Sequence, residues 1–95
     1  MGPGLGMRMK ALSPEQRPRE RLLAGQGEHL SEAELLALLW GSGQPGRSAL
    51  ELGQELLAQA GGLAGLMNLG LQDWMGFPGI GEAKACQLWA AQELA

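Results

Sequence analysis

The residues with the most chemical potential lie in "GFPGIGEAKACQLW", Gly76 to Trp89, where one Pro and three Gly surround a single Ile directly before an apolar stretch. Pro78 fixes a turn, Gly79 permits a positive φ, Ile80 drops its side chain between two helices, and Gly81 admits the chain to the last helix with no Cβ in the way. The NH groups of Gly79, Gly81, Glu82 and Ala83 then converge at a helix N-terminus. Unpaired donors and the positive end of the helix dipole favour an anion there, and a phosphate fits. Glu82 repels such a ligand, whereas Lys84, half a turn to a turn inside the helix, offsets that charge. Gly and Pro serve a plain helix-helix corner equally well, so spacing alone leaves both readings open.

Other chemistries fail on their contexts. "GIGEAK" begins like a dinucleotide-binding G-x-G-x-x-G loop, but Lys84 stands where the third Gly belongs and no strand precedes it. Lys84 as the nucleophile of a base-excising enzyme needs a carboxylate well downstream and a base-sized pocket, neither of which the sequence places. Ser31 and Ser48 fit as helix caps and His29 as a loop residue, since no acid is positioned to complete a triad. The single His29 and single Cys86 provide neither a disulfide nor a zinc ligand set. No enzyme activity, metal or cofactor is expected. Trp40, Trp74 and Trp89 stand beside apolar helical positions and are read as core rather than base-stacking platforms, and Cys86 as a small buried hydrophobe.

Ninety-five residues suit one domain with a simple architecture. The 16 Gly and 5 Pro cut the chain into short elements. No apolar run is long enough to span a membrane, and the leader "MGPGLGMRMK" lacks a secretory core, so a cytoplasmic protein is expected. Residues 1–12 read as a flexible tail and 13–95 as the domain. The net charge of −3 argues against a broad nucleic-acid footprint, so any phosphate contact must be local.

Nearly every piece between the breaks carries helical periodicity, and no strand is credible. "SPEQ" at Ser13 has a capping-box shape, but Pro18 interrupts it and serves better as a first helical residue. In the segment running to Gly25, Leu22 and Leu23 are expected to pack inward while Arg17, Arg19 and Arg21 stay solvated. Ser31 with Glu34, and Ser48 with Glu51, have capping-box spacing and mark two helix starts. Between them "GSGQPGR", Gly41 to Arg47, excludes helix. From Ser48, the positions Ala49, Leu52, Gly53, Leu56, Leu57 and Ala60 form one apolar stripe, with Gly53 predicting close helix approach and Gly61 the stop. A short connector follows with Leu63, Leu66 and Met67 inward, then a short helix "LQDWM". The last helix has polar residues scattered around its axis, which predicts burial on several sides. Helix, Gly-containing loop and helix thus occur twice, at 31–60 and 71–95, giving an all-α small bundle of five or six short helices.

"GFPGIGEAKACQLWAA" is similar to the helix-hairpin-helix motif, whose h-x-G-h-G loop binds nucleic-acid backbones without reading sequence. Together with "RPRERLLAGQGEHLSEAELLALLWGSG" and "SALELGQELLAQAGGLAGLMNL", residues 17–95 resemble the N-terminal domain of the RadC family of DNA-repair-associated proteins. The resemblance implies a tandem helix-hairpin-helix domain that binds DNA, duplex or branched, independently of sequence. Its site would comprise Pro78, Gly79, Ile80, Gly81, Glu82, Ala83 and Lys84. A second contact would come from the first loop, Gly43, Gly46 and Arg47, with Arg47 as its cation. Members usually continue into a JAB/MPN-type metal domain whose His-x-His is not in this sequence, so the chain is expected to be a fragment or a stand-alone version. The alternative is a protein-docking module for that metal domain or another partner.

Overall fold

The computed structural model describes residues 17–95; the expected tail at 1–12 and the Ser13 box lie outside them. The chain divides into two units at Ser31/Glu32. In the first, α1 (Pro18–Leu23) starts with Pro at its first position, and a 3-10 turn covers Gly27–His29. Arg21 Nη2 donates to the His29 carbonyl at 2.8 Å, tying the turn to α1. Leu22 and Leu23 do not pack inward as expected: they are 48% and 76% exposed. The helix is six residues long and ends at Leu23, so α1 itself extends no further turn past that side chain.

The second unit holds α2 (Glu32–Trp40), α3 (Ala49–Ala60), α4 (Leu63–Met67), α5 (Leu71–Met75) and α6 (Glu82–Leu94). The described residues form an all-α bundle, and the order α2–loop–α3, α4, α5–loop–α6 follows the repeat in the sequence. α2 packs on α3 and α6, α3 on α4, and α5 on α6.

The capping chemistry explains where α3 begins and ends. Ser48 Oγ accepts from the Glu51 NH at 3.0 Å while Glu51 Oε1 accepts from the Ser48 NH at 2.8 Å. At the other end the Gly62 NH reaches the Leu57 carbonyl and the Gly61 NH the Ala58 carbonyl, with Gly61 at φ +80, a Schellman closure. Ser48→Ala removes the reciprocal pair and is expected to cost about 1 kcal/mol in urea unfolding.

The α3 stripe is buried as its periodicity predicts: Leu52 and Leu56 are 1% and 2% exposed. Gly53 lets α3 approach α2, because a Cβ there would sit 3.1 Å from the Ala33 carbonyl oxygen and 3.4 Å from Leu36 Cβ. Leu36, Trp40, Leu66, Trp74, Ile80, Ala85 and Leu88 complete the core. Both core indoles satisfy their NH: Trp40 Nε1 donates to the Lys84 carbonyl at 3.2 Å, Trp74 Nε1 to the Leu66 carbonyl at 3.0 Å.

Four expectations about packing are corrected, the first being Trp89, which was read as core and is 39% exposed. α6 is not gripped on several sides; only Ala85 and Leu88 are buried, with Lys84, Ala91 and Gln92 half-buried beside them. Its short Ala side chains occur on every face, which hid that single stripe. Cys86 consequently lies on the exposed side. Leu63 is 39% exposed because α4 is barely more than one turn and Leu66 takes its single buried place.

Candidate nucleic-acid interface

The second loop is built as its residues dictate. The α5 helix ends at Met75, the Phe77 NH bonds back to the Trp74 carbonyl, and the Ile80 NH bonds to the Phe77 carbonyl, both at 3.1 Å. Ile80 is 4% exposed and anchors the loop in the core, while Pro78 stays exposed. Gly79 has φ +89, a conformation that side chains with a Cβ adopt at a cost. A Cβ would also be crowded: it would lie 2.6 Å from Leu52 Cδ2 and 2.8 Å from Arg47 Nη2, so both side chains would have to shift.

Gly81 behaves differently from expectation. Its φ of −94 and ψ of −169 are ordinary extended backbone, and a Cβ would meet nothing within 4 Å. The fold does not require Gly at this N-cap. What its bareness leaves is an open approach to the start of α6. No side chain caps that helix. The Ala85 NH takes the Gly81 carbonyl, and no acceptor among the described residues takes the amides of Gly81, Glu82, Ala83 or Lys84. Glu82 and Ala83 are exposed and Lys84 is half-buried. Four donors at the positive end of a 13-residue helix make a surface that can receive an anionic oxygen.

The first loop is a different kind of structure. Gln44 and Arg47 exchange backbone hydrogen bonds of 2.9 and 3.0 Å around Pro45–Gly46, with Gly46 at φ +87, the pattern of a type II turn. Gly43 is held against the Arg47 carbonyl and the Ala49 NH so closely that a Cβ has no room. Arg47 does not extend into solvent. Its Nη1 pairs with Glu55 Oε1, and its side chain is 26% exposed. With the Gln44 amide oriented so that its oxygen faces the guanidinium, that oxygen accepts from Nη2 at 2.7 Å and from Nε at 3.1 Å.

The structure therefore brings Gly79 of the second loop against Gln44 and Arg47 of the first. Sequence reasoning placed both loops but not the Arg47–Glu55 pair or the Gln44 clamp. An Arg before a helix and a Glu two turns inside it carry no spacing signal of their own. Among the described residues, no three or more His, Cys, Asp or Glu group as a metal would need, and no helix is long and apolar enough to cross a membrane.

Residues 9–86 match the family described as UPF0758 N-terminal. The chain belongs to the UPF0758 N-terminal family. Similar proteins include UPF0758 proteins of Carboxydothermus hydrogenoformans, 52% identical over 91 residues, Rubrobacter xylanophilus, 51% over 87, and a Polaromonas species, 48% over 89. These alignments cover 92% to 96% of the present chain but 38% to 40% of the relatives. This UPF0758 domain thus spans about two fifths of the length of the curated proteins that it matches. No solved structure matches it.

Proposed function

We propose that this UPF0758 N-terminal domain is a sequence-independent DNA-binding module, not an enzyme, that holds a backbone phosphate at the start of α6. The observation that carries the reading is the uncapped helix end beside a bare loop: the Gly81, Glu82, Ala83 and Lys84 amides have no acceptor among the described residues, and Gly81 leaves them open to approach. Lys84 stands in the same turn and supplies the charge that offsets Glu82. The second loop matches the helix-hairpin-helix pattern of the RadC resemblance, and backbone amides on phosphate position a duplex without reading its bases.

Two variants separate binding from folding. Gly81→Ser places a hydroxyl where it caps the free amides internally, so stability should stay level or rise by a few tenths of a kcal/mol while DNA affinity is lost. Lys84→Ala should lower the slope of log affinity against log salt by about 0.9, and weaken unrelated duplex sequences equally. Fluorescence anisotropy over a salt series measures both. A folded Gly81→Ser protein with undiminished affinity, or a Lys84→Ala slope equal to wild type, contradicts the reading.

A second reading has its own observation. Leu35, Leu39 and Leu63, 44%, 36% and 39% exposed, line an apolar groove with Leu36, Ala91 and Glu32. Such a face suits a protein partner. α6 contributes to it from its C-terminal half, away from the free amides, so a docking role there is compatible with phosphate binding at the other end of the helix.

A further inference from the structure

We infer that Arg47 is a positioning residue and not a phosphate ligand: with Gln44 and Glu55 it forms a polar brace that fixes the second loop from beneath. The inference deepens the DNA-binding reading and rests on it for its functional consequence, but its structural half stands alone. The guanidinium is engaged on two sides, by the Glu55 carboxylate and by the Gln44 amide oxygen at 2.7 and 3.1 Å. A third side lies against Gly79, close enough that a Cβ on that residue would fall 2.8 Å from Nη2.

The planar fork is what this geometry uses. A guanidinium presents donors in fixed directions and remains charged, so one group can satisfy an amide and a carboxylate at once while Nη2 stands beside the bare backbone of Gly79. Releasing Arg47 to a DNA phosphate would strand the Glu55 carboxylate, itself 45% exposed, beside a second anion, and would remove the support under Gly79. The brace instead keeps the Phe77–Ile80 hydrogen bond and the Gly81 N-cap in place, so that the α6 amides are preorganised when phosphate arrives. Gly79 is then bare for two reasons, its φ and the guanidinium beneath it.

The test uses the 95-residue chain in two measurements, one with no DNA present. Amide hydrogen exchange at Ile80, whose NH is bonded to Phe77, reports loop fixation directly. Arg47→Ala and Glu55→Ala are each expected to speed that exchange about tenfold, with the double variant no faster than either single one, because both remove the same brace. Arg47→Lys, which keeps the charge but lacks the fork, should fall between them and wild type. In anisotropy titrations Arg47→Ala should bind duplex DNA about fivefold more weakly with an unchanged salt slope, unlike Lys84→Ala. Should Arg47→Ala fail to fold by circular dichroism, Arg47→Lys and Glu55→Ala carry the comparison. Wild-type exchange at Ile80 in these variants, or a slope reduced by about 0.9 in an Arg47 variant, overturns the inference. Faster Ile80 exchange in a protein that binds no DNA would leave the brace standing and remove the phosphate reading instead.

Discussion

Gly79→Ala is expected to lower stability by about 2–4 kcal/mol, adding about 1 kcal/mol or more for a left-handed backbone to about 1–3 kcal/mol of overpacking. The first contribution follows from φ +89. The second follows from the neighbours: Leu52 Cδ2 and Arg47 Nη2 would stand 2.6 and 2.8 Å from the new Cβ. Neither can retreat freely, since Leu52 is 1% exposed and Arg47 is clamped by Glu55 and Gln44. For a domain of this size, each 1 kcal/mol shifts the melting temperature by roughly 4–8 °C, so thermal unfolding should show a fall of roughly 8–32 °C. A melting temperature within a degree or two of wild type would mean that the loop is free to rearrange, and the account of both hairpins as one packed unit would fail with it.

Trp74→Ala is expected to have the largest effect on folding, about 3–5 kcal/mol. Trp74 is fully buried, donates to the Leu66 carbonyl at 3.0 Å and meets Trp89 edge to face with ring centroids 5.6 Å apart. Removing the indole opens a cavity among α4, α5 and α6 and takes one donor from the Leu66 carbonyl, which keeps the Leu69 NH at 3.1 Å. Small domains have about 5–15 kcal/mol in total, so the variant should lose a large part of its cooperative urea transition. Trp74→Phe, which keeps most of the volume but not the hydrogen bond, should fall between the two. Wild-type stability in the Ala variant would place the organising contacts of the second hairpin elsewhere.

The elements were legible in the sequence wherever local chemistry decides them. The Ser48–Glu51 box, the Gly61 stop, the Leu52–Leu56 stripe and the Gly53 close approach are each written within one or two turns, and the structure shows each of them. Leu22, Leu23, Leu63, Cys86, Trp89 and the wrapping of α6 were misjudged for a common reason. Periodicity says which residues share a face but not whether a neighbour covers it, and in an Ala-rich helix every face looks apolar. At the candidate site the Pro-Gly-Ile-Gly loop could be read for its turn and its buried Ile80. The unneeded Gly81 could not, because the sequence cannot distinguish a glycine demanded by backbone from one that keeps a surface open. Arg47 was read as the cation of the first loop, and its partners went unseen because Gln44 and Glu55 converge on it only when the turn closes and α3 forms.

The proposal that α6 receives a backbone phosphate is tested most directly by titrating unlabelled duplex DNA into the 15N-labelled chain and following individual amide resonances. The account predicts that Gly81, Glu82, Ala83 and Lys84 shift most, that two unrelated duplex sequences move the same four resonances, and that Gly81→Ser abolishes the response while the rest of the spectrum remains that of the folded protein. Shifts confined to residues of the α2–α4–α6 groove, or no shift at the α6 N-terminus at DNA concentrations that saturate binding, would contradict it.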